Sequence, residues 1–191
     1  VARPNPSSAP TTETILVQQP LRPKANSGST VNHQGGIHML KTGDKLPAFH
    51  LENQDGKTRS ISDYAGKWVV LYVYPKDDTP GCTIQGKSFT QQKTAFDKLG
   101  VNILGLSADD VESHKNFCNK FSFTIDLLAD PTEKYLNALG VKQSEYKGTM
   151  YWDRTTFLVD PKGVVRKVYE KVNPQGHEDV LLRDITEMKN T

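Results

Sequence analysis

Trp68-Val-Val-Leu-Tyr-Val-Tyr-Pro-Lys-Asp-Asp-Thr-Pro-Gly-Cys-Thr83 joins a continuous apolar run to a cysteine standing where a helix should begin. The first seven residues are β-branched and aromatic without polar alternation, the pattern of a parallel strand buried on both faces. Pro75 cannot donate to a sheet ladder and ends the strand. Thr79 followed by Pro80 has the form of a helix start, with a hydroxyl at the N-cap and proline at the first helical position. Cys82 then falls in the first turn. Unpaired N–H groups and the positive end of the helix dipole favour an anion there, so Cys82 is expected to be a reactive thiolate rather than an inert core residue.

Outward from this stretch, the chain reads as strands alternating with helices. Residues 48 to 61 form a β-hairpin around the turn signal Asn53-Gln-Asp-Gly56, followed by a short capped turn closed at Gly66. A helix from about Pro80 to Leu99 sets Cys82, Phe89, Phe96 and Leu99 on one side. Val101 to Ser107 is a second buried strand, and Asp109-Asp110 opens a helix whose stripe is Val111, His114, Cys118 and Phe121. A short strand over 124–128 and a helix over 130–140 follow. Thr155 to Asp160 and Val164 to Val172 form a late antiparallel hairpin, and a last helix from about His177 to Lys189 turns Leu181, Ile185 and Met188 inward. Together these predict an α/β fold: a mixed central sheet with helices on both faces and an N-terminal β-hairpin.

Residues 1–38 differ in kind. They hold five of the chain's eleven prolines and no aromatic residue, too little apolar surface to offset ordering entropy unless Ile15-Leu-Val17 docks. They read as a flexible tail, appended or processed, before a domain over 39–191 whose natural start is Met39. The longest apolar run is seven residues, too short to span a membrane as a helix. A net charge of +2 without single-sign blocks gives nucleic-acid binding no support. Two cysteines make no disulfide framework, which points to a reducing, cytoplasmic setting. Glycine loops for phosphate are absent, and His114 with Cys118 at i, i+4 lacks a third partner for a metal, so no cofactor or metal is expected.

Thr79-Pro-Gly-Cys82 is the Cys-x-x-Cys arrangement of dithiol oxidoreductases with a hydroxyl replacing the first thiol, which disfavours disulfide exchange within the motif. Pro75-x-x-x-Thr79-x-x-Cys82, together with Arg154-Thr-Thr-Phe-Leu-Val-Asp160, resembles the peroxiredoxins, specifically the bacterioferritin comigratory protein / peroxiredoxin Q subfamily, over about residues 40–189. The resemblance implies a thioredoxin-like fold and a thiol-dependent peroxidase acting on hydrogen peroxide and organic hydroperoxides. Cys82 would be the peroxidatic cysteine, oxidised to a sulfenic acid. Thr79 would hold thiolate and peroxide, Pro75 would shield the site from water, and Arg154 would stabilise charge on the reacting atoms. Tyr146, Tyr151 and Trp152 could wall the peroxide entrance.

Many subfamily members carry a resolving cysteine five positions after the peroxidatic one, where this chain has Lys87. The resemblance then implies Cys118 as the resolving cysteine, giving an intramolecular disulfide reduced by thioredoxin or glutaredoxin, in a monomer. A core role for Cys118 would leave a one-cysteine enzyme using an external thiol. A redox sensor or binding module that uses the Cys82 and Cys118 pair without turnover is the alternative from a different class.

Overall fold

The computed structural model describes residues 38–190. Its centre is a seven-stranded mixed sheet in the order β2-β1-β5-β4-β3-β8-β9. The N-terminal hairpin is β1 (His50–Asn53) and β2 (Thr58–Ser60), turned at Gly56 with its φ of 69°. A 3-10 turn over Ile61–Tyr64 follows, with Asp63 accepting from the Ser60 N–H at 2.8 Å. The parallel centre is β3 (Trp68–Val73), β4 (Val101–Ser107) and β5 (Asp126–Ala129), and β8 (Thr155–Val159) pairs antiparallel with β3. The outer strand β9 (Val165–Tyr169) returns antiparallel to β8 through a bulge at Leu158/Val159.

The unbroken apolar pattern of β3 is used on both faces. Val69, Leu71 and Val73 pack with Tyr135, Leu136 and Leu139 of α3 (Lys134–Leu139). Val70 and Tyr72 pack on the other face with Phe89 and Phe96 of α1 (Pro80–Lys98), Phe117 of α2 (Val111–Phe121), and Leu181 and Ile185 of α4 (His177–Lys189). The two-sided strand therefore carries helices on both faces, and the thioredoxin-like mixed sheet read from the sequence is the fold observed.

Three local expectations shift. Helix α3 starts at Lys134 rather than Asp130, because Pro131-Thr-Glu133 is spent on a turn whose last residue sits at φ 58°; the Asp130 carboxylate instead receives the backbone N–H groups of Tyr135 and Leu136, each at 2.9 Å. The inward stripe of α2 is His114, Phe117 and Cys118, with Val111 and Phe121 only partly covered. A separate two-stranded ribbon, β6 (Gln143–Tyr146) and β7 (Thr149–Trp152), stands where the sequence reading named no strand. At the start of the described chain, Leu40 donates its N–H to Leu139 O at 3.1 Å, and Gly140 lets the backbone of His38 and Met39 approach to where a Cβ would be 2.5 Å away. The suggested docking of residues 15–17 lies outside the described residues. No described helix is long and apolar enough to cross a membrane.

Candidate functional site

Helix α1 begins as its sequence demands, with Thr79 in extended conformation at the N-cap and Pro80 in the first turn. The Thr79 side chain, however, does not cap the helix: its hydroxyl donates backwards to Lys76 O at 3.1 Å. This corrects the expected hydroxyl cap. The first-turn N–H groups of Gly81 and Cys82 have no acceptor within the helix, and Pro80 has no N–H, so the spare donors of this helix end belong to Cys82 and its neighbour.

Cys82 is 2% exposed, held among Tyr72, Tyr74 and Phe89 in the apolar layer under α1. Its sulfur has one charged partner. Arg154, on the connection between β7 and β8, places Nη2 3.2 Å from Cys82 Sγ. Its Nη1 donates to Gln85 Oε1 at 3.0 Å, and its carbonyl accepts from Val172 N at 3.0 Å. The guanidinium is thus clamped between the sulfur and a side chain one helical turn beyond it. Gln85 is 1% exposed, and its Nε2 is buried without a protein partner. Sequence reasoning passed over Gln85; its position three residues after Cys82, on the same helix face, was the available signal.

Gly81 has a packing reason rather than a conformational one. A Cβ there would lie 2.7 Å from Arg154 Nη2 and 3.5 Å from Pro174 Cγ. Only a bare backbone lets the guanidinium lie across the helix start and reach the sulfur. Pro75 follows β3 and lines an open cleft with Tyr146, Tyr151, Trp152, Asp153 and Arg154. The aromatic residues singled out in the sequence therefore border Arg154, with Trp152 buried and Tyr146 63% exposed.

Cys118 is elsewhere in the same apolar layer. Both cysteines are free thiols, and Cys118 is 6% exposed beside a second groove formed by Gln54, Asp55, Lys115 and Phe123. Burial, reinforced by the carboxylates of Asp77, Asp55 and Asp126, pushes its thiol up to about 12. His114, whose spacing from Cys118 resembles a metal pair, commits Nδ1 to Asp77 Oδ2 at 2.8 Å and Nε2 to Leu128 O at 3.0 Å. Lys87, at the position where many subfamily members have a cysteine, lies over the Phe121 ring, 5.0 Å from its centroid.

A buried thiol, a guanidinium at hydrogen-bond distance and a helix end supplying donors form a site for an anionic sulfur nucleophile and for the oxygen it attacks. Comparison with known proteins agrees. Residues 42–168 match the AhpC/TSA family. The chain is 39% identical over 144 residues to "Putative peroxiredoxin bcp" of Coxiella burnetii, an alignment covering 72% of this chain and 93% of that protein. It is 42% identical over 130 residues to "Peroxiredoxin Bcp" of Xanthomonas campestris, covering 66% and 81%. A solved structure of Xanthomonas campestris peroxiredoxin Q superposes with a TM-score of 0.69 at 38% identity, covering 73% of this chain and 90% of that one. The chain belongs to the peroxiredoxins, within their Bcp / peroxiredoxin Q group, and is a thiol peroxidase.

Proposed function

We propose that Cys82 is the peroxidatic residue and Cys118 the resolving one, so that the protein reduces hydrogen peroxide and organic hydroperoxides through an intramolecular disulfide. The observation that carries the first assignment is the 3.2 Å contact between Arg154 Nη2 and Cys82 Sγ. A fixed cation there stabilises the thiolate and then the charge moving onto the peroxide oxygens. The thiolate attacks one oxygen, the O–O bond breaks, and water or an alcohol leaves, giving a sulfenic acid at Cys82. Thr79 Oγ1 has its proton committed to Lys76 O, so its lone pairs can accept the peroxide O–H. Pro75 and the aromatic residues line an open cleft beside Arg154, which offers the peroxide an approach, while the sulfur itself is kept from bulk water by its burial.

In the second step the Cys118 thiol condenses with the sulfenic acid, releasing water. The high position of the Cys118 thiol, about 12, keeps it un-ionised and unreactive while buried, so exposure of Cys118 activates resolution. Two solved Xanthomonas campestris peroxiredoxin Q structures are single cysteine-to-serine mutants at that protein's positions 48 and 84, 36 apart. Cys82 and Cys118 have the same spacing, which supports pairing them here. Another solved structure concerns the alkyl peroxide reduction activity of Xanthomonas campestris bacterioferritin comigratory protein, which supports organic hydroperoxides as substrates. A thioredoxin or glutaredoxin, as a dithiol reductant, would close the cycle.

The test is peroxide consumption coupled to a thioredoxin system by the wild type, Cys82→Ser and Cys118→Ser. The expected result is full loss in Cys82→Ser, and in Cys118→Ser one stoichiometric oxidation without thioredoxin-driven turnover. Peroxidase activity surviving in Cys82→Ser would sink the assignment, and normal turnover by Cys118→Ser would remove the resolving role. A single oxidation of the wild type without recycling would instead mark a redox sensor.

A further inference from the structure

A buried polar network that the chemistry at the sulfur does not use joins the loop before Cys82 to the helix of Cys118. Asp77, five residues before Cys82, has a side chain 4% exposed, and His114, one helical turn before Cys118, has one 0% exposed. Asp77 Oδ1 accepts from Tyr74 Oη at 2.7 Å. Its Oδ2 accepts from Ser113 Oγ at 2.8 Å and from His114 Nδ1 at 2.8 Å. The Asp77 N–H donates to Asp109 Oδ2 at 2.9 Å, and that oxygen also accepts from Ser107 Oγ at 2.7 Å. His114 Nε2 faces Leu128 O at 3.0 Å. Both ring nitrogens of His114 are thus held in hydrogen bonds inside the protein, with Tyr74 Oη a further 3.4 Å neighbour of Nδ1. The network ties the loop entering the Cys82 helix to the helix bearing Cys118, and to the ends of β4 and β5 through Ser107 and Leu128.

A disulfide requires the two sulfurs to come within roughly 2.05 Å in a restricted geometry, whereas here both are free and packed in the apolar layer. At its far end helix α2 is tied by the Phe123 N–H, which donates to Cys118 O at 3.0 Å, and by Phe117 packed against Phe121 and Phe123. Ser122 closes it at φ 57°, a left-handed conformation costly for a side chain other than glycine. Two contacts to the loop before Cys82 flank Cys118. Lys120 to Asp78, at 2.6 Å, is about half exposed on both sides, and pairs of that kind contribute little. The buried His114 and Asp77 pair resists separation more, because breaking it leaves buried polar groups of Tyr74, Asp77, Ser113 and His114 without their partners.

We propose that His114 and Asp77 are positioning residues for the resolving step: their buried hydrogen-bonded pair is the latch holding the Cys118 helix closed on the Cys82 loop, and its opening sets the rate of disulfide formation. This rests on the resolving role for Cys118. The covalent step is unchanged: the sulfenic acid at Cys82 and the Cys118 thiol form the S–S bond and release water. The latch decides when they meet.

The decisive measurement avoids catalysis. In Cys82→Ser protein without denaturant, Cys118 is labelled by a chromogenic aromatic disulfide, a reaction gated by opening of α2. His114→Asn is expected to speed labelling at least tenfold and Asp77→Asn by an intermediate factor, while Lys120→Ala changes it less than twofold. His177→Gln supplies the control for general destabilisation, since His177 is a buried histidine bonded to Thr156 Oγ1 at 3.0 Å, outside the latch. It should lower Tm without a matching rise in labelling. Labelling of His114→Asn no faster than its parent, or equal acceleration by His177→Gln, would overturn the latch. If His114→Asn does not fold, Asp77→Asn and Ser113→Ala decide the question by the same criterion. With Cys82 restored, His114→Asn should form the disulfide faster after one equivalent of hydrogen peroxide. A wild type that never forms it refutes the resolving role, and the labelling rates still judge the latch.

Discussion

Gly81→Ala should separate the stability of this protein from its reactivity. The new Cβ would stand 2.7 Å from Arg154 Nη2, where ordinary contact begins at 3.4 Å. The obstructing atom is the tip of a long side chain, so the guanidinium yields by about 0.7 Å or more while the backbone stays. Gly81 is not among the positive-φ positions, so alanine fits the local conformation, and in a helix it is favoured over glycine by up to about 1 kcal/mol. The cost falls on the 3.2 Å contact to Cys82 Sγ. A hydrogen bond to a charged group is worth about 1.5–3 kcal/mol, which is roughly a 10- to 150-fold loss in the rate of thiol oxidation. The assay is stopped-flow tryptophan fluorescence on mixing reduced protein with hydrogen peroxide, alongside thermal unfolding. The expected outcome is an unchanged or higher Tm with oxidation slowed at least tenfold. Oxidation within threefold of wild type in the folded variant would refute the idea that contact between Arg154 and the sulfur limits reactivity.

Gln85→Leu removes the acceptor for Arg154 Nη1 at 3.0 Å but leaves the sulfur contact; losing about 1 kcal/mol of orientation predicts roughly fivefold slower oxidation in the same assay, and a wild-type rate would show that Gln85 does not hold the guanidinium. Stability should also depend on pH through His177, which burial, opposed by Asp184, lowers from 6.5 to about 4. Between those values the unfolded chain binds a proton that the native ring refuses, so stability is full above pH 6.5 and falls as pH drops towards 4, by on the order of 3 kcal/mol. Urea melts at pH 7 and pH 4.5 should show this loss in wild type and a smaller one in His177→Gln; equal losses would remove His177 as the cause. Asp184, lowered from 3.8 by its bonds to Lys167, Tyr169 and Arg183 despite opposing desolvation, loses its contribution only as pH falls through still lower values, outside that window.

Strong local patterns carried the fold. Strand β4 and helix α4 match their sequence spans end to end, and α1 ends one residue early at Lys98, because their periodicity and end signals agree. Pro131 was misleading: proline marks both helix starts and turns, and here the Asp130 carboxylate, accepting from the N–H groups of Tyr135 and Leu136 five and six residues on, closes the segment into a turn. The ribbon β6 and β7 escaped notice because Gln143-Ser-Glu-Tyr146 is exposed throughout and has no buried face to impose alternation. Within the site, Cys82 and the helix start were legible from neighbours in sequence. Arg154 was not separable from Arg59 or Arg166 by local pattern and came from resemblance. Gln85 was invisible because its role exists only once Arg154 arrives. The Thr79 hydroxyl turned towards Lys76 O rather than the helix, a choice between two nearby acceptors that residue type does not decide.

Pairing of β3 with β8 has a consequence for how the protein is made. Thr155 lies opposite Val73, so Arg154 reaches Cys82 only after a strand far along the chain has docked, and the two partners are 72 residues apart. Such long-range closure is entropically costly and comes late relative to local helix formation. On the proposed role of Arg154, a nascent or refolding chain therefore carries Cys82 for some time without the cation that would arm it. On that assignment, fast reaction with peroxide is a property the molecule gains only when its late strand docks, not one its cysteine carries from synthesis.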